Sequence, residues 1–320
     1  MKAAVYYRNG GPEVLKYEDV PDPECHPKGV IIRVEAVSIE GGDTLNRWRG
    51  AMTSTPHIVG YQAGGEIVEV GSDVHDLRVG QKVTTVFNSG SHAALRAVPA
   101  RAAWPVPAGF DIKLASAIPV PFGTADDCLF EFGHLKAGET VLVQAGASGV
   151  GVAAIQLAKR AGATVIATAS SDERLERLRP LGMDHGINYR TGDVVKSVMR
   201  LTNGKGANLV VDPVGGSTLQ SSIGALAYRG RISMVGAAGR EAMTVDVSPL
   251  MAGNRSLTGV FLGAEMATDR VRNMIQRLVD ESARGELKVV IDKTFPLSEA
   301  AAAHAYIESR QAVGRVLLIP

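Results

Sequence analysis

The chain has 320 residues, 45% of them hydrophobic and only 5% aromatic, with 36 glycines. That profile fits an α/β protein of about two domains with ample core, not an all-β or disordered one. A formal net charge of +1 gives no electrostatic case for nucleic acid or an anionic membrane. Cys25 and Cys128 lie too far apart in sequence to suggest a metal spacing or a disulfide framework. No window is apolar for the length a bilayer requires, and Met1–Val5 reads as the start of a strand instead of a signal peptide, so a cytoplasmic protein is expected.

In chain order, residues 1–105 carry short β-like runs at 3–7, 29–37, 65–70, 82–87 and 94–98. Turn signals such as Asn9-Gly10-Gly11-Pro12, Pro21-Asp22-Pro23 and Gly71-Ser72-Asp73 separate them. This predicts an antiparallel, partly barrelled β domain with few helices. From about residue 120 strands and helices alternate: strand 140–144, helix to 161, strand 164–169, helix 172–181, strand 186–189 and helix 193–201. Strand 209–212, helix 217–227 and strands 231–236 and 257–262 follow. That rhythm predicts a doubly wound parallel sheet. The tail, with helices 269–284 and 298–309 and strands 289–295 and 315–319, returns to the first texture. The expected organisation is a β domain at 1–119 completed by 266–320, with a nucleotide domain at 120–265 inserted.

Residues 141–151 read VLVQAGASGVG. The run Val141-Leu142-Val143 suits a strand, and Val152–Lys159 suits a helix. Between them Gly146-Ala147-Ser148-Gly149-Val150-Gly151 is a G-x-G-x-x-G turn with Ser148 at the middle glycine. Strand, glycine turn and helix let backbone N–H groups and a helix N-terminus hold a pyrophosphate, so dinucleotide binding is expected. An ordinary βα turn without ligand is the alternative. At the end of the second strand, Ala169 and Ser170 are small and uncharged where an NAD site places an acid. That leaves room for a 2′-phosphate, with Ser170 and Ser171 as donors and Arg174 as the cation. Ser170 and Glu173 have capping-box spacing, which puts Asp172 in the first helical turn. NADPH is therefore expected over NADH.

These residues, in this order, resemble the zinc-independent branch of the medium-chain dehydrogenase/reductase family, in particular the NADPH quinone oxidoreductases related to zeta-crystallin. The resemblance spans essentially the whole chain. It rests on MKAAVYYRNGGPEVLKYEDVPDPE at the N-terminus, AGETVLVQAGASGVGVAAIQLAK (137–159), INYR (187–190), VVDPVGG (210–216), RGRISMVG (229–236) and ESRQAVGRVLLIP (308–320). It implies a GroES-like catalytic domain and a Rossmann domain with the active site in the cleft between. It also implies that Tyr189 joins Ser170 and Arg174 at the 2′-phosphate. Gly215 and Gly216 would pass close to the cofactor, and Val235, Gly236 and Ala237 would flank the nicotinamide. Phe261 and Leu262 would lie near the carboxamide, and Arg315 would approach from the other domain. Thr124 opens a helix that it can cap, and could also face the nicotinamide.

Zinc members of the family need three protein ligands and an open fourth position. The family's GHE segment falls at Gly60-Tyr61-Gln62, with tyrosine in place of the imidazole and an amide in place of the carboxylate. The first ligand, normally Cys, aligns with Glu40 and a later one with about Val120, and the four-cysteine structural loop is missing. No metal is expected. Without a Lewis acid, conjugated acceptors are the tractable substrates, because the charge developing on hydride addition delocalises onto a distal oxygen. The resemblance thus implies an NADPH-dependent quinone or enone reductase.

Segment 38–45 lines the nicotinamide end in the relatives, which usually carry Asn at Glu40 and often Tyr at Leu45. Glu40 and Asp43 are the candidate catalytic groups: Glu40 could donate a proton or point at water, and Asp43 commonly holds its loop through backbone N–H groups. Leu45, Trp48, Tyr61 and Phe122, with Met52, should form the pocket wall, or could equally be core. A lone loop histidine such as His92 is expected to be exposed, with a proton relay as the alternative, and Arg47 and Arg49 beside Trp48 are expected in a solvated loop, with binding of an anionic substrate or cofactor group as the alternative. Partners are expected to be a small conjugated carbonyl or quinone and a second copy of the chain, paired through the edge strand 257–262. Alternatives are a crystallin-like or nucleic-acid-binding protein that holds NADPH without turnover, and a 2-enoyl thioester reductase; Tyr61 and Gln62 exclude a zinc alcohol dehydrogenase.

Overall fold

The alternation from residue 140 onward folds as a six-stranded sheet in which every neighbouring pair is parallel. Across the sheet the strands run His185–Asn188, Thr164–Ala169, Thr140–Val143, Ala207–Asp212, Leu226–Met234 and Ser256–Gly259. Numbered along the chain this is the order 3-2-1-4-5-6, which reverses beside the first strand and opens a crevice at the carboxyl ends of the first and fourth. Val141, Leu142 and Val143 are wholly buried, as a central parallel strand covered on both faces requires. The computed structural model describes all residues, 1–320. By contacts the chain divides into Pro121–Glu265, which holds this sheet, and a second unit made of Met1–Val120 with Met266–Pro320.

The glycine turn is dictated by packing. A Cβ on Gly146 would stand 2.9 Å from the Ala167 Cβ, and one on Gly151 would stand 2.5 Å from the Ala145 carbonyl oxygen. The helix Gly149–Arg160 therefore starts hard against the strand it follows. Several boundaries differ from the sequence expectation. The helix after the second strand stops at Glu176 and resumes only as a 3-10 turn at Arg179–Leu181, where Pro180 has no N–H to continue the ladder. The helix expected to reach 227 ends at Gly224, and the next strand begins at Leu226. The last strand ends at Gly259, and Leu262–Glu265 is a helical turn.

In the other unit a seven-stranded mixed sheet is built on the ten-residue strand Gly29–Ser38. Gln62–Val70 pairs with it over nearly its whole length. Leu95–Pro99 pairs with its first half, and the terminal strand Arg315–Ile319 pairs at Val37 and Ser38. This last pairing ties the C-terminal segment to the N-terminal one. Ile32, Val37, Ile67, Val83, Val316 and Leu318 share one buried cluster beneath the sheet. The elements not foreseen include the strand Lys16–Asp19, paired with Lys2–Val5, the short strand Ala103–Pro105, and the helices Gly41–Arg49 and Ile112–Ala115. The helix Gly41–Arg49 follows the central strand at once and positions the candidate site.

Gly151→Ala is expected to cost about 1–3 kcal/mol in urea unfolding, because the methyl has only backbone to push against. Gly259→Ala, whose methyl meets nothing within 4 Å, should stay within about 0.5 kcal/mol of the parent.

Candidate active site

Glu40 stands between the strand Gly29–Ser38 and the helix Gly41–Arg49, as the residue that caps the helix. Two glycines in the first turn give that helix little intrinsic propensity, and side chains supply what is missing. Asp43 Oδ2 accepts from the Glu40 N–H at 2.8 Å, and Asp43 Oδ1 accepts from the Tyr61 N–H at 3.2 Å. Asn46 Nδ2 donates to the Tyr61 hydroxyl at 2.8 Å. The Tyr61 ring packs so closely on Gly42 that a Cβ there would lie 2.5 Å from the ring. Asp43 is fully buried with both oxygens engaged by main-chain amides, which tie the start of the helix to the entry of the strand Gln62–Val70.

Glu40 differs. Its Oε1 accepts from Gln62 Nε2 at 2.5 Å and pairs with Arg315 Nη2, and its carboxylate also closes a capping box with the Asp43 N–H. Arg315 also donates to the Ser38 hydroxyl, at 3.0 Å from Nε and 2.8 Å from Nη2, and to the Ile39 carbonyl at 2.6 Å. Gln62 is fixed in turn, its Oε1 accepting from the Val120 N–H at 2.9 Å. Burial pushes the Glu40 carboxyl up to about 8, with Arg315 pulling the other way and Asp43 adding to the rise. Burial likewise pushes Asp43 up to about 7 against its backbone hydrogen bonds. Tyr61 is pushed up to about 12, by burial first and then by the neighbouring Asp43 charge.

Behind this cluster lie groups the sequence did not reveal. His92 is fully buried, and Arg47 is buried on the helix; neither is the exposed loop residue expected. Arg47 donates to His304 Nδ1 at 2.8 Å and to Glu308 at 2.5 Å, and the His304 and His92 Nε2 atoms lie 2.9 Å apart. Arginine is always a donor, so the direction along this chain is set: His304 carries its proton on Nε2 and His92 on Nδ1. Burial holds His92 down to about 3 and His304 well below its usual value, so both rings are neutral at ordinary pH. Arg96, also buried, spans the carbonyls of Tyr61, Phe87 and Ser89 at 2.7–3.1 Å and so clamps the loop before Gln62. No spacing rule marks these residues. Two buried arginines and a histidine pair are visible only once distant segments meet.

In the nucleotide unit, Ser148 caps the helix Gly149–Arg160, its hydroxyl accepting from the Gly151 N–H at 3.0 Å. The N–H groups of Gly149 and Val150 stay at the open end of the helix. Serine at the middle-glycine position is thus a helix cap. Ser171, not Ser170, caps the following helix through the Arg174 N–H at 3.4 Å. This corrects the capping-box reading and leaves the Ser170 hydroxyl to accept from Arg174 Nη1 at 2.8 Å. Asp172 lies in the first turn and accepts from Asn188 at 3.1 Å, and Tyr189 is half exposed just beyond that strand. Gly215 adopts φ +74°, its N–H on Asp212 Oδ1 at 2.9 Å. A polar chain unseen in the sequence crosses the strand ends: Thr168 to Gln144 at 2.9 Å, Gln144 to Ser222 at 3.1 Å and Ser222 to Asp212 at 2.8 Å. It holds the rim of the crevice and also fixes the Ala145 N–H on Thr168.

The remaining candidates scatter. Val235, Gly236 and Ala237 follow the fifth strand, the Val235 N–H on the Asp212 carbonyl at 2.9 Å. Phe261 is 74% exposed while Leu262 is buried. Thr124 lies inside the helix Pro119–Asp126 and is not its cap. Phe122 is buried in the same helix, Leu45 is partly buried, and Trp48 is exposed with Arg49 stacked 4.9 Å from its ring centre.

The open helix amides and the Ser170–Arg174 pair suit a dinucleotide phosphate and 2′-phosphate. A zinc ion is not suited: Glu40 is committed to Arg315 and Gln62, Tyr61 and Gln62 are poor ligands, and no three His, Cys, Asp or Glu side chains are grouped to hold a metal.

Residues 26–108 match the alcohol dehydrogenase GroES-like domain, and residues 149–280 match the zinc-binding dehydrogenase domain. The chain is 34% identical to a 2-haloacrylate reductase from a Burkholderia species, over 99% of this chain and 98% of that one. It is 32% identical to a quinone oxidoreductase of Pseudomonas aeruginosa, over 97% of each. The crystal structure of Escherichia coli quinone oxidoreductase complexed with NADPH superposes with a TM-score of 0.94 at 28% identity, covering both chains in full. The chain belongs to the medium-chain dehydrogenase/reductase family, in its zinc-independent, quinone-oxidoreductase branch.

Proposed function

We propose that this protein is an NADPH-dependent reductase of quinones and α,β-unsaturated carbonyls that works without a metal. The single observation that carries the reading is the pairing of two features: a 2′-phosphate cradle at Ser170 and Arg174, and a buried acid, Glu40, held where relatives of the zinc type place a ligand. Bound NADPH supplies a hydride from its nicotinamide C4, and with one proton this reduces the acceptor by two electrons. Gly149 and Val150 amides hold the pyrophosphate. Ser170, Ser171, Arg174 and Tyr189 take the 2′-phosphate, and Gly215 and residues 235–237 leave room for the nicotinamide half. Glu40 delivers the proton, while Gln62 and Arg315 keep its Oε1 in place. Asp43, Asn46 and Arg96 position Tyr61 and Gln62 and touch no reacting atom. The polypeptide works in the cytoplasm and pairs with a second copy; the open edge of Ser256–Gly259, with Tyr228, Met251 and Phe261 exposed in the same unit, supports that pairing.

Arg174→Gln should raise the KM for NADPH about tenfold or more, the loss of one charged phosphate contact, and leave that for NADH within about twofold; initial rates with both cofactors check this. For proton delivery the sign follows from the raised Glu40 value. The acid form is present below about pH 8 and lost above it, so kcat should fall as pH rises through that region. A pH–rate profile should show the inflection in the parent protein and none in Glu40→Gln.

A further inference from the structure

We propose that Ser222 is a positioning residue that sets the nicotinamide end of the cofactor crevice separately from its adenosine end. The proposal rests on the functional reading above, in which NADPH binds with Gly215 along its nicotinamide half. The strand order puts the crevice at the carboxyl ends of the first and fourth strands; Gln144 directly follows one and Asp212 ends the other. There Gln144, Thr168, Ser222 and Asp212, all buried, form one hydrogen-bonded chain within the nucleotide unit. Such a chain is costly to interrupt, because a buried group that loses its partner keeps its desolvation penalty.

The direction of the chain is set from its acid end. The Asp212 carboxylate takes the Val214 and Gly215 N–H groups on Oδ1, both at 2.9 Å, and the Ser222 hydroxyl on Oδ2 at 2.8 Å. The Ser222 oxygen also stands 3.0 Å from the Thr218 carbonyl, a weaker acceptor than the carboxylate. With its proton on Asp212, Ser222 accepts from Gln144 Nε2 at 3.1 Å, and Gln144 Oε1 accepts from the Thr168 hydroxyl at 2.9 Å. Thr168 in turn accepts from the Ala145 N–H at 3.0 Å. The two ends of the chain therefore hold two left-handed backbone sites, Ala145 at φ +48° and Gly215 at φ +74°. One opens the phosphate turn and the other lies on the far side of the crevice.

Ser222 is the point where one end can be released and the other kept. Alanine there deprives Asp212 Oδ2 and Gln144 Nε2 of their partner, and leaves Thr168 on Gln144 and the Ala145 N–H on Thr168. It also suits the helix Gly216–Gly224, since alanine is the stronger helix former. The hold on Val214 and Gly215 loosens, while the Ser170–Arg174 pair is untouched.

The test is titration calorimetry with NADPH and with adenosine 2′,5′-bisphosphate, which lacks the nicotinamide half, on the parent, Ser222→Ala and Thr168→Val. Ser222→Ala should weaken NADPH about fivefold or more and the bisphosphate less than about twofold. Thr168→Val, which frees the Ala145 N–H at the phosphate turn, should weaken both ligands. Ser222→Cys keeps the size with a poor donor and should show the same split as alanine, which serves if alanine unsettles the fold. Equal weakening of both ligands by the Ser222 variants, the mark of a general loosening, overturns the inference, as does no weakening of NADPH or a Thr168→Val that spares the bisphosphate. A parent that binds neither ligand overturns the functional reading, and this inference with it.

Discussion

Two carboxylates, Glu40 and Asp43, are taken out of water within four residues of each other, and the fold around them is organised to tolerate it. A buried carboxylate survives only with donors on it. Asp43 gets them from the main chain, which pins the start of one helix and the entry of one strand together. Glu40 gets them from Gln62 and from an arginine at the far end of the chain, which is why the terminal strand must lie beside Ser38. The donors differ in kind: main-chain amides hold both oxygens of Asp43, whereas Glu40 is held on Oε1 by the side chains of Gln62 and Arg315.

The nucleotide unit shows the same economy. Gly146 and Gly151 are demanded by the closeness of strand and helix, before any ligand is considered. That closeness is also what brings peptide amides to the crevice at the switch point of the sheet. Ser148 spends its hydroxyl on the helix end, and Ser171 does the same one strand later, so Ser170 and Arg174 remain directed at each other beyond the strand.

Much of this was legible in the sequence. The parallel strands were, because apolar runs alternating with helix-compatible stretches leave few other arrangements, and the glycine turn was, because its spacing is geometric. The helix Gly41–Arg49 was not. Its first turn is two glycines, and it is held by Asp43, Asn46 and Arg47 contacts with Tyr61, His304 and Glu308, outside the helix. For the same reason His92 and Arg47 read as surface residues: each is buried by a partner, His304 or Glu308, more than two hundred positions away. Ser170 and Ser171 were separated only by backbone geometry, since both stand at cap-compatible positions. Local pattern reports local structure well. It reports a site poorly when the site is assembled from charge compensation across the chain.

The central claim is direct hydride delivery to a conjugated acceptor in protein free of catalytic metal. It is tested by reducing an enone with NADPH deuterated at C4, using protein dialysed against a strong chelator and checked by elemental analysis. The account predicts undiminished turnover, one deuteron at the β-carbon and a solvent hydrogen at the α-carbon. Turnover lost on chelation and restored by zinc, or product without label from either C4 position, would contradict it.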